Sequence, residues 1–340
     1  MSDARALADR NPQVSIQQMV DELIPPPRFS GVSFDSYIPA PDQPSQRAAV
    51  AALEAFSQRV SRVPDKKRLF KRGTPPEGRA GIYLDGGFGV GKTHLLASLW
   101  HSVPGRNRFG TFVEYTNLVG ALGFRAAVEA LSQNELVCID EFELDDPGDT
   151  VLMSTLLGEL VKAGVSLAAT SNTLPDKLGE GRFAAEDFLR EIQGLSSHFD
   201  VFRIEGEDYR HRGLPEAPEA LADQQIDRAL GNISSATIDD FSRVEQHLVS
   251  VHPSRYGSLL NGVTAVGFKN VMPITDQATA LRLVVLADRL YDRDIPVLAS
   301  GIKLDELFSP EMLKGGYRKK YFRAISRLVA LAREGEALVT

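Results

Sequence analysis

The sequence predicts an α/β protein, with a five-stranded parallel sheet covered by helices on both faces and a smaller, mostly helical domain after it. Short apolar runs alternate with helical patterns from Gly81 to Ile204, which is typical of parallel strands joined through covering helices. After Gly206 the chain changes to charged, amphipathic helical patterns. The 340 residues are 43% hydrophobic and 24% charged, an ordinary globular composition at a length that suits two domains.

We expect three parts: an N-terminal arm over 1–28, the α/β core over 29–206 and the second domain over 207–340. Apolar residues between Val14 and Leu23 have the spacing of a short amphipathic helix, which the following prolines end. Further prolines up to Pro44 exclude a long helix there, and a helical pattern then runs from Ser45 to about Val63.

Five apolar runs are the candidate strands of the core: Gly81–Leu84, Gly110–Tyr115, Leu136–Asp140, Val165–Thr170 and Asp200–Ile204. The helices expected between them are Gly91–His101, Asn117–Leu131 and Thr150–Ala163. The helices expected in the second domain are Ala217–Leu230, Phe241–Val249, Thr275–Tyr291 and Tyr317–Glu334. Two apolar pieces, Val263–Phe268 and Ile295–Ala299, predict a little sheet among these helices.

Composition limits the classes of function. The formal charge is −7, from 45 acidic and 38 basic residues, so the whole molecule lacks the positive footprint of a protein held on nucleic acid. Cys138 is the only cysteine and lies in an apolar run, which predicts a buried small side chain and no internal disulfide. We find no apolar run of membrane-spanning length and no secretory signal pattern, and we expect the protein in the cytoplasm.

One glycine-rich segment carries the strongest functional signal. It fits the pattern G-x-x-x-x-G-K-[ST] with the residues Gly86, Gly87, Phe88, Gly89, Val90, Gly91, Lys92 and Thr93. An apolar strand precedes it and a helix follows it. The backbone N–H groups of the loop and the positive end of the helix can therefore bind the same phosphate group. Lys92 is expected to reach the β- and γ-phosphates of ATP, and the Thr93 hydroxyl to be a ligand of Mg²⁺. This pattern predicts a P-loop nucleotide-binding fold.

Two acids end the apolar run Leu136–Asp140, where a buried parallel strand delivers its last side chains to the phosphate edge of the sheet. Asp140 is expected to contact Mg²⁺, through water, and Glu141 to act as general base on the attacking water. Two strand–helix steps separate Lys92 from Asp140, so a strand lies between the loop and the acids in sequence. This insertion resembles the additional-strand class of P-loop proteins.

Two further types of side chain are candidates for catalysis. Asn172 ends another apolar run and is expected to orient the water beside the γ-phosphate, although asparagine also forms turns before proline. An arginine from a neighbouring subunit is expected to stabilise the transferring phosphoryl group. The candidates are Arg182, Arg190 and Arg203, of which Arg182 is favoured because its glycine-rich loop can project it outward.

Motifs distributed along the chain resemble those of the ZapE (Afg-like) family of P-loop ATPases, relatives of the AAA+ class. The resemblance covers about residues 29–330. Its motifs are Ile139–Phe142, Asp145–Asp146, Ala169–Asn172, Pro175, Leu178, Asp208–Arg210, Arg282–Leu283, Asp288–Asp292, Arg323 and Ser326–Leu328.

The resemblance implies an ATP-driven, oligomeric machine of the cytoplasm or of the inner membrane surface, which allows peripheral contact with a membrane. Bacterial members are linked to division through the FtsZ ring, and mitochondrial members to the handling of inner-membrane proteins. The family therefore implies a homo-oligomer with a protein partner, and its C-terminal part is expected to be a lid domain.

The chain also departs from the family. Bacterial members place an arginine in Gly-Leu-Gln-Arg before Phe-Leu-Pro-Phe-Ile, whereas here Gly181–Ala185 precedes Phe188–Ile192, so the position of the arginine finger stays open. His94 is similar to the residue after the loop in DnaC- and DnaA-type loaders, and the segment from Phe34 to Gln46 could pack on adenine. Two alternatives therefore remain: a nucleic-acid-linked loader and a nucleotide-binding adaptor with weak turnover. The loader would need a basic face, for which the local signals are Arg255, Lys269, Lys303 and Arg318–Lys320, and a solvated helix face explains the last run better.

Overall fold

The computed structural model describes residues 6–13, 15–61, 79–87, 89–143, 147–178, 189–206 and 216–339. The chain divides into two compact units. Of the described residues, 15–25 and 29–206 belong to the first unit, and 6–13, 26–28 and 216–339 belong to the second. The N-terminal segment that we expected to be one arm is thus shared between the two units.

The first unit contains a five-stranded parallel sheet. Its strands are β1 (Gly81–Gly86), β2 (Asn107–Thr111), β3 (Leu136–Asp140), β4 (Ser166–Ser171) and β5 (Phe199–Ile204). They lie in the order β2-β3-β4-β1-β5, and β4 therefore separates the strand of the glycine-rich loop from the strand of the two acids. The predicted five-stranded parallel sheet is confirmed.

Helices cover both faces of this sheet. They are α1 (Ile16–Asp21), α2 (Pro44–Ser61), α3 (Lys92–Ser102), α4 (Phe112–Leu122), α5 (Phe124–Leu131), α6 (Pro147–Lys162) and α7 (Leu189–Ser196). Alternate side chains of each strand enter different cores, as the period of two requires. Leu84 and Cys138 pack on the face of α2 and α3, whereas Tyr83 and Ile139 pack on the face of α4 and α6. Cys138 is buried and forms no disulfide, as predicted.

The predicted strand Gly110–Tyr115 was wrong, because the chain turns into a helix inside it. Strand β2 ends at Thr111, where a capping box begins α4: the Glu114 N–H donates to Thr111 Oγ1 at 3.3 Å, and the Thr111 N–H donates to Glu114 Oε2 at 2.6 Å. The single helix predicted over Asn117–Leu131 was also wrong. Gly123, with a φ of 80°, interrupts it between α4 and α5.

The second unit has its own three-stranded parallel sheet, in the order β6-β7-β8. Its strands are β6 (Ala236–Asp240), β7 (Ala265–Val271) and β8 (Val297–Gly301). Its helices are α8 (Asp223–Leu230), α9 (Phe241–Ser250), α10 (Tyr256–Leu259), α11 (Gln277–Asp292) and α12 (Arg318–Glu336). The mostly helical character with a little sheet is confirmed, but β6 was missed and the helix predicted from Ala217 begins only at Asp223.

N-terminal residues complete the core of the second unit. The Leu7 side chain is buried there, and the backbone N–H groups of Leu7 and Ala8 donate to the two carboxylate oxygens of Asp239 at 2.8 and 3.0 Å. Burial raises the pKa of Asp239, and these two hydrogen bonds oppose the rise. In the same unit, Arg28 stacks on Tyr291 at 3.7 Å and pairs with Asp294 at 3.0 Å. Among the described helices, none combines the length and the apolarity needed to cross a bilayer.

Candidate active site

The glycine-rich loop lies at the carboxyl edge of the first unit's sheet, between β1 and α3. Gly89 and Gly91 have φ values of 81° and 83°, which side chains rarely allow. A Cβ atom on Gly91 would also lie 2.6 Å from the Tyr37 ring. Helix α3 begins at Lys92, immediately after this turn, so the N–H groups of its first turn face the loop. Phe88 lies outside the described residues.

The Lys92 ammonium group contacts oxygen atoms of the glycine-rich loop and of the residue that follows β4. Its Nζ donates to the carbonyl oxygens of Gly86 and Gly87 at 2.8 and 2.6 Å, and to Asn172 Oδ1 at 2.8 Å. The structure therefore brings the predicted sensor asparagine to the predicted phosphate-binding lysine, although 80 residues separate them in sequence. The amide oxygen of Asn172 faces Lys92, and its NH₂ group remains as a donor.

A second contact joins Thr93, in the first turn of α3, to Asp140, the last residue of β3. The Thr93 hydroxyl lies 3.0 and 3.3 Å from the two carboxylate oxygens of Asp140. A hydroxyl and a carboxylate are hard oxygen donors of the kind that Mg²⁺ prefers, and they are adjacent to the phosphate-binding loop. The two residues present thus fit a magnesium ion of a nucleotide complex.

The Asp140 side chain is buried, with only 6% of the residue exposed. Removal from water raises the pKa of its carboxyl group, and the nearby charge of Glu141 raises it further. Hydrogen bonds from Thr170 and Thr93 and the positive charge of Lys92 act in the opposite direction. A divalent cation beside Asp140 would favour the carboxylate in the same way as Lys92 does.

Glu141 follows Asp140 in a left-handed backbone conformation, with a φ of 52°, and its side chain is partly exposed. Thr170 of β4 holds this turn. Its hydroxyl donates to Asp140 and accepts from the Glu141 N–H at 3.1 Å, and its carbonyl accepts from the Phe142 N–H at 2.7 Å. Sequence reasoning missed these contacts of Thr170, whose only signal was a hydroxyl residue near the end of an apolar run.

His94 joins the loop helix to the segment before α2. Its Nε2 lies 3.0 Å from Ser36 Oγ and 3.2 Å from the Ser33 carbonyl oxygen, and its ring lies 5.7 Å from that of Tyr37. The Tyr37 hydroxyl donates to the Val90 carbonyl at 2.8 Å. A cavity of about 340 Å³ opens there and is lined by residues 37–41, Gln46 and 89–91.

Two of the three candidate arginines, Arg190 and Arg203, belong to described elements of the first unit. Arg182 and the motif Asp208–Arg210 lie outside the described residues. Arg190 is exposed in the first turn of α7, and Arg203 is exposed on β5, where it pairs in register with Asp85 at the end of β1. The choice among the three arginines therefore stays a prediction.

The loop on β1, the acidic pair at the end of β3 and the strand β4 between them define the P-loop NTPase fold of the additional-strand, AAA+-like class. A sequence profile of the AFG1-like ATPase family matches residues 13–232 and 219–338. The chain belongs to the AFG1-like ATPase family.

Two relatives illustrate the range of this similarity. The cell division protein ZapE of Escherichia coli K12 is 25% identical over 300 residues, which is 75% of this chain and 78% of that protein. Lactation elevated protein 1 homolog B of Danio rerio is 25% identical over 181 residues, which is 45% of this chain and 34% of that protein.

Two solved structures are loosely similar to this chain. DnaI superposes with a TM-score of 0.41 at 17% identity, over 54% of this chain and 99% of that one. Domain III of the Thermotoga maritima replication initiation protein DnaA superposes with a TM-score of 0.40 at 16% identity, over 77% and 97% of the two chains. The fold assignment rests on the strand order of this chain and not on these superpositions.

Proposed function

We propose that this protein binds Mg-ATP at the loop Gly86–Thr93 and hydrolyses it to ADP and phosphate, with Glu141 as the general base. One observation carries the proposal: two contacts lie at the same edge of the sheet. Lys92 donates to Asn172, and Thr93 contacts Asp140, which Glu141 follows in the chain. These are the side chains that phosphoryl transfer needs at one place. Membership of an ATPase family supports the same reaction.

Each residue has a distinct task in this mechanism. Lys92 and the N–H groups at the start of α3 bind the phosphate oxygens. Thr93 and Asp140 would hold Mg²⁺, which when bound neutralises charge on the β- and γ-phosphates. Glu141 accepts the proton of the attacking water, and the Asn172 amide orients that water relative to the γ-phosphate.

The cavity beside Tyr37 is our candidate for the base of the nucleotide. Its apolar wall of Ile38, Pro39 and Pro41 is suited to the face of a purine, and it adjoins the phosphate loop at Val90. Tyr37 donates to the Val90 carbonyl and His94 contacts Ser36, so the segment that carries this wall is hydrogen-bonded to the loop and to α3.

We further propose that the protein works as a homo-oligomer in the cytoplasm, with an arginine of one subunit completing the site of the next. Arg182 is the first candidate, and Arg190 and Arg203 are the alternatives. The cargo that we propose is a protein of the division machinery, because the Escherichia coli relative is a cell division protein.

Steady-state hydrolysis tests the reaction. Glu141→Gln is expected to bind ATP but to lose turnover by at least about 100-fold, which is the lower range for removal of a general base. The matched control is Glu135→Gln, because Glu135 precedes the same strand β3 at its opposite end and contacts the Arg106 N–H instead. Equal loss in both variants, or full activity of Glu141→Gln, would remove Glu141 from the mechanism.

The partner is tested with the Glu141→Gln protein held in its ATP state. Capture of a division protein by this variant, and not by Lys92→Ala, is the expected result. Strong binding of single-stranded DNA that weakens steeply with salt would contradict the protein-partner proposal and favour a nucleic-acid loader.

A further inference from the structure

One threonine outside the predicted catalytic set contacts both acidic residues. Thr170 is 1% exposed on β4, and its hydroxyl donates to Asp140 Oδ1 while it accepts from the Glu141 N–H at 3.1 Å. A hydroxyl has one proton to donate, and here that proton is directed at the carboxylate. The same oxygen thus connects the side chain of one acid with the backbone of the next.

The backbone at Glu141 needs such support. Its φ of 52° is uncommon for a residue with a side chain. Thr170 holds the turn at two points, because its hydroxyl accepts from the Glu141 N–H and its carbonyl accepts from the Phe142 N–H at 2.7 Å. The direction of the Glu141 side chain depends on this turn.

We propose that Thr170 is a positioning residue, which fixes the Asp140 carboxylate for the metal ion and the Glu141 carboxylate for the attacking water at the same time. This inference rests on the proposed ATP hydrolysis. Thr170 acts only through its two neighbours and has no direct role in the reaction.

The test compares isosteric variants. Thr170→Val keeps the shape and loses the hydroxyl, whereas Thr170→Ser keeps the hydroxyl. The matched control is Thr237→Val, because Thr237 is fully buried on β6 of the second unit and its hydroxyl finds no hydrogen-bond partner among the described residues. Thr170→Cys, whose thiol is a weak donor and acceptor, is a second test of the same contact.

Two measurements are made on each variant: kcat for ATP, and the affinity for Mn²⁺ in complex with a non-hydrolysable ATP analogue, followed by electron paramagnetic resonance. We expect both to fall by about 10- to 100-fold in Thr170→Val, as for other residues that orient metal ligands. Both values are also expected to fall in Thr170→Cys. Thr170→Ser and Thr237→Val are expected to keep both values, and binding of metal-free ATP is expected to be unchanged throughout.

Normal kcat or normal Mn²⁺ affinity in Thr170→Val and Thr170→Cys would overturn the inference, because one hydroxyl is proposed to position both acids. An equal loss in Thr170→Ser would overturn it as well. The wild-type rate separates this failure from failure of the proposed function: absence of wild-type hydrolysis overturns both, whereas normal hydrolysis with an unaffected Thr170→Val overturns the positioning role alone.

Discussion

Replacement of Tyr83 by phenylalanine removes one hydroxyl group beside the proposed sensor. Tyr83 is fully buried on β1, and its hydroxyl donates to the Thr173 carbonyl at 2.8 Å, one residue after Asn172. The phenylalanine ring can keep the contacts with Phe142 and Phe199, whose ring centroids lie 6.4 and 5.6 Å away. The substitution therefore tests the hydroxyl with little change in packing.

The expected magnitude follows from that hydrogen bond. Loss of one buried hydrogen bond costs about 1 kcal/mol. For a unit of this size, about 1 kcal/mol lowers the midpoint of thermal unfolding by about 2–4 °C. Because Thr173 would then lose an anchor, we also expect kcat to fall by about three- to tenfold as Asn172 shifts relative to Lys92.

The assay uses a second tyrosine as its control. Tyr115 is also fully buried, and its hydroxyl donates to the Cys138 carbonyl at 3.0 Å, within β3 and away from Asn172. Tyr115→Phe is expected to lose similar stability, measured by thermal unfolding, and to keep its kcat. Equal kcat losses in both variants, or wild-type values for Tyr83→Phe, would refute the positioning of Asn172 through Thr173.

Three other changes have definite expected outcomes. Gly91→Ala is expected to weaken ATP binding, measured by calorimetry, because the new Cβ would lie 2.6 Å from the Tyr37 ring at a φ of 83°. Leu7→Ala is expected to lower the free energy of unfolding of the second unit by about 2–5 kcal/mol, measured with denaturant, because Leu7 is buried in its core. A mixture of Lys92→Ala and Arg182→Ala proteins is expected to regain part of the ATPase activity that each lacks alone.

Each of these has a control in the chain. Gly120→Ala changes an exposed helical glycine with free space around it and is expected to bind ATP normally. Val249→Ala changes a side chain that is 54% exposed in the second unit, and a loss as large as that of Leu7→Ala would contradict the buried role of Leu7. If Arg190→Ala complements Lys92→Ala where Arg182→Ala does not, the arginine finger is Arg190.

The core of the fold was predictable because its signals are local. Buried parallel strands such as Leu136–Asp140 are continuous apolar runs. The loop before Lys92 has its glycines at the positions where the backbone must curl around phosphate groups. The end of β2 was not predictable from apolarity. Phe112 and Tyr115 are buried side chains of a helix, and an apolar residue is buried equally well in a helix or in a strand. The deciding signal was the capping pair of Thr111 and Glu114.

Strand β6 was missed for a different reason. Its residues Thr237 and Asp239 are polar yet buried, which runs against the usual pattern of a strand. Asp239 is accommodated because it accepts hydrogen bonds from Leu7 and Ala8, which lie far away in sequence. No pattern within Ala236–Asp240 contains that information, because the partners come from a distant part of the chain.

The position of β4 explains why two unrelated contacts of the site come from one strand. In the order β3-β4-β1, only β4 is adjacent both to the strand of the acids and to the strand of the loop. Thr170 near its end reaches Asp140 on one side, and Asn172 just beyond it reaches Lys92 on the other. A shift of β4 would therefore move the acids and the lysine contact together, and substitutions that loosen it are expected to impair metal binding and turnover in parallel.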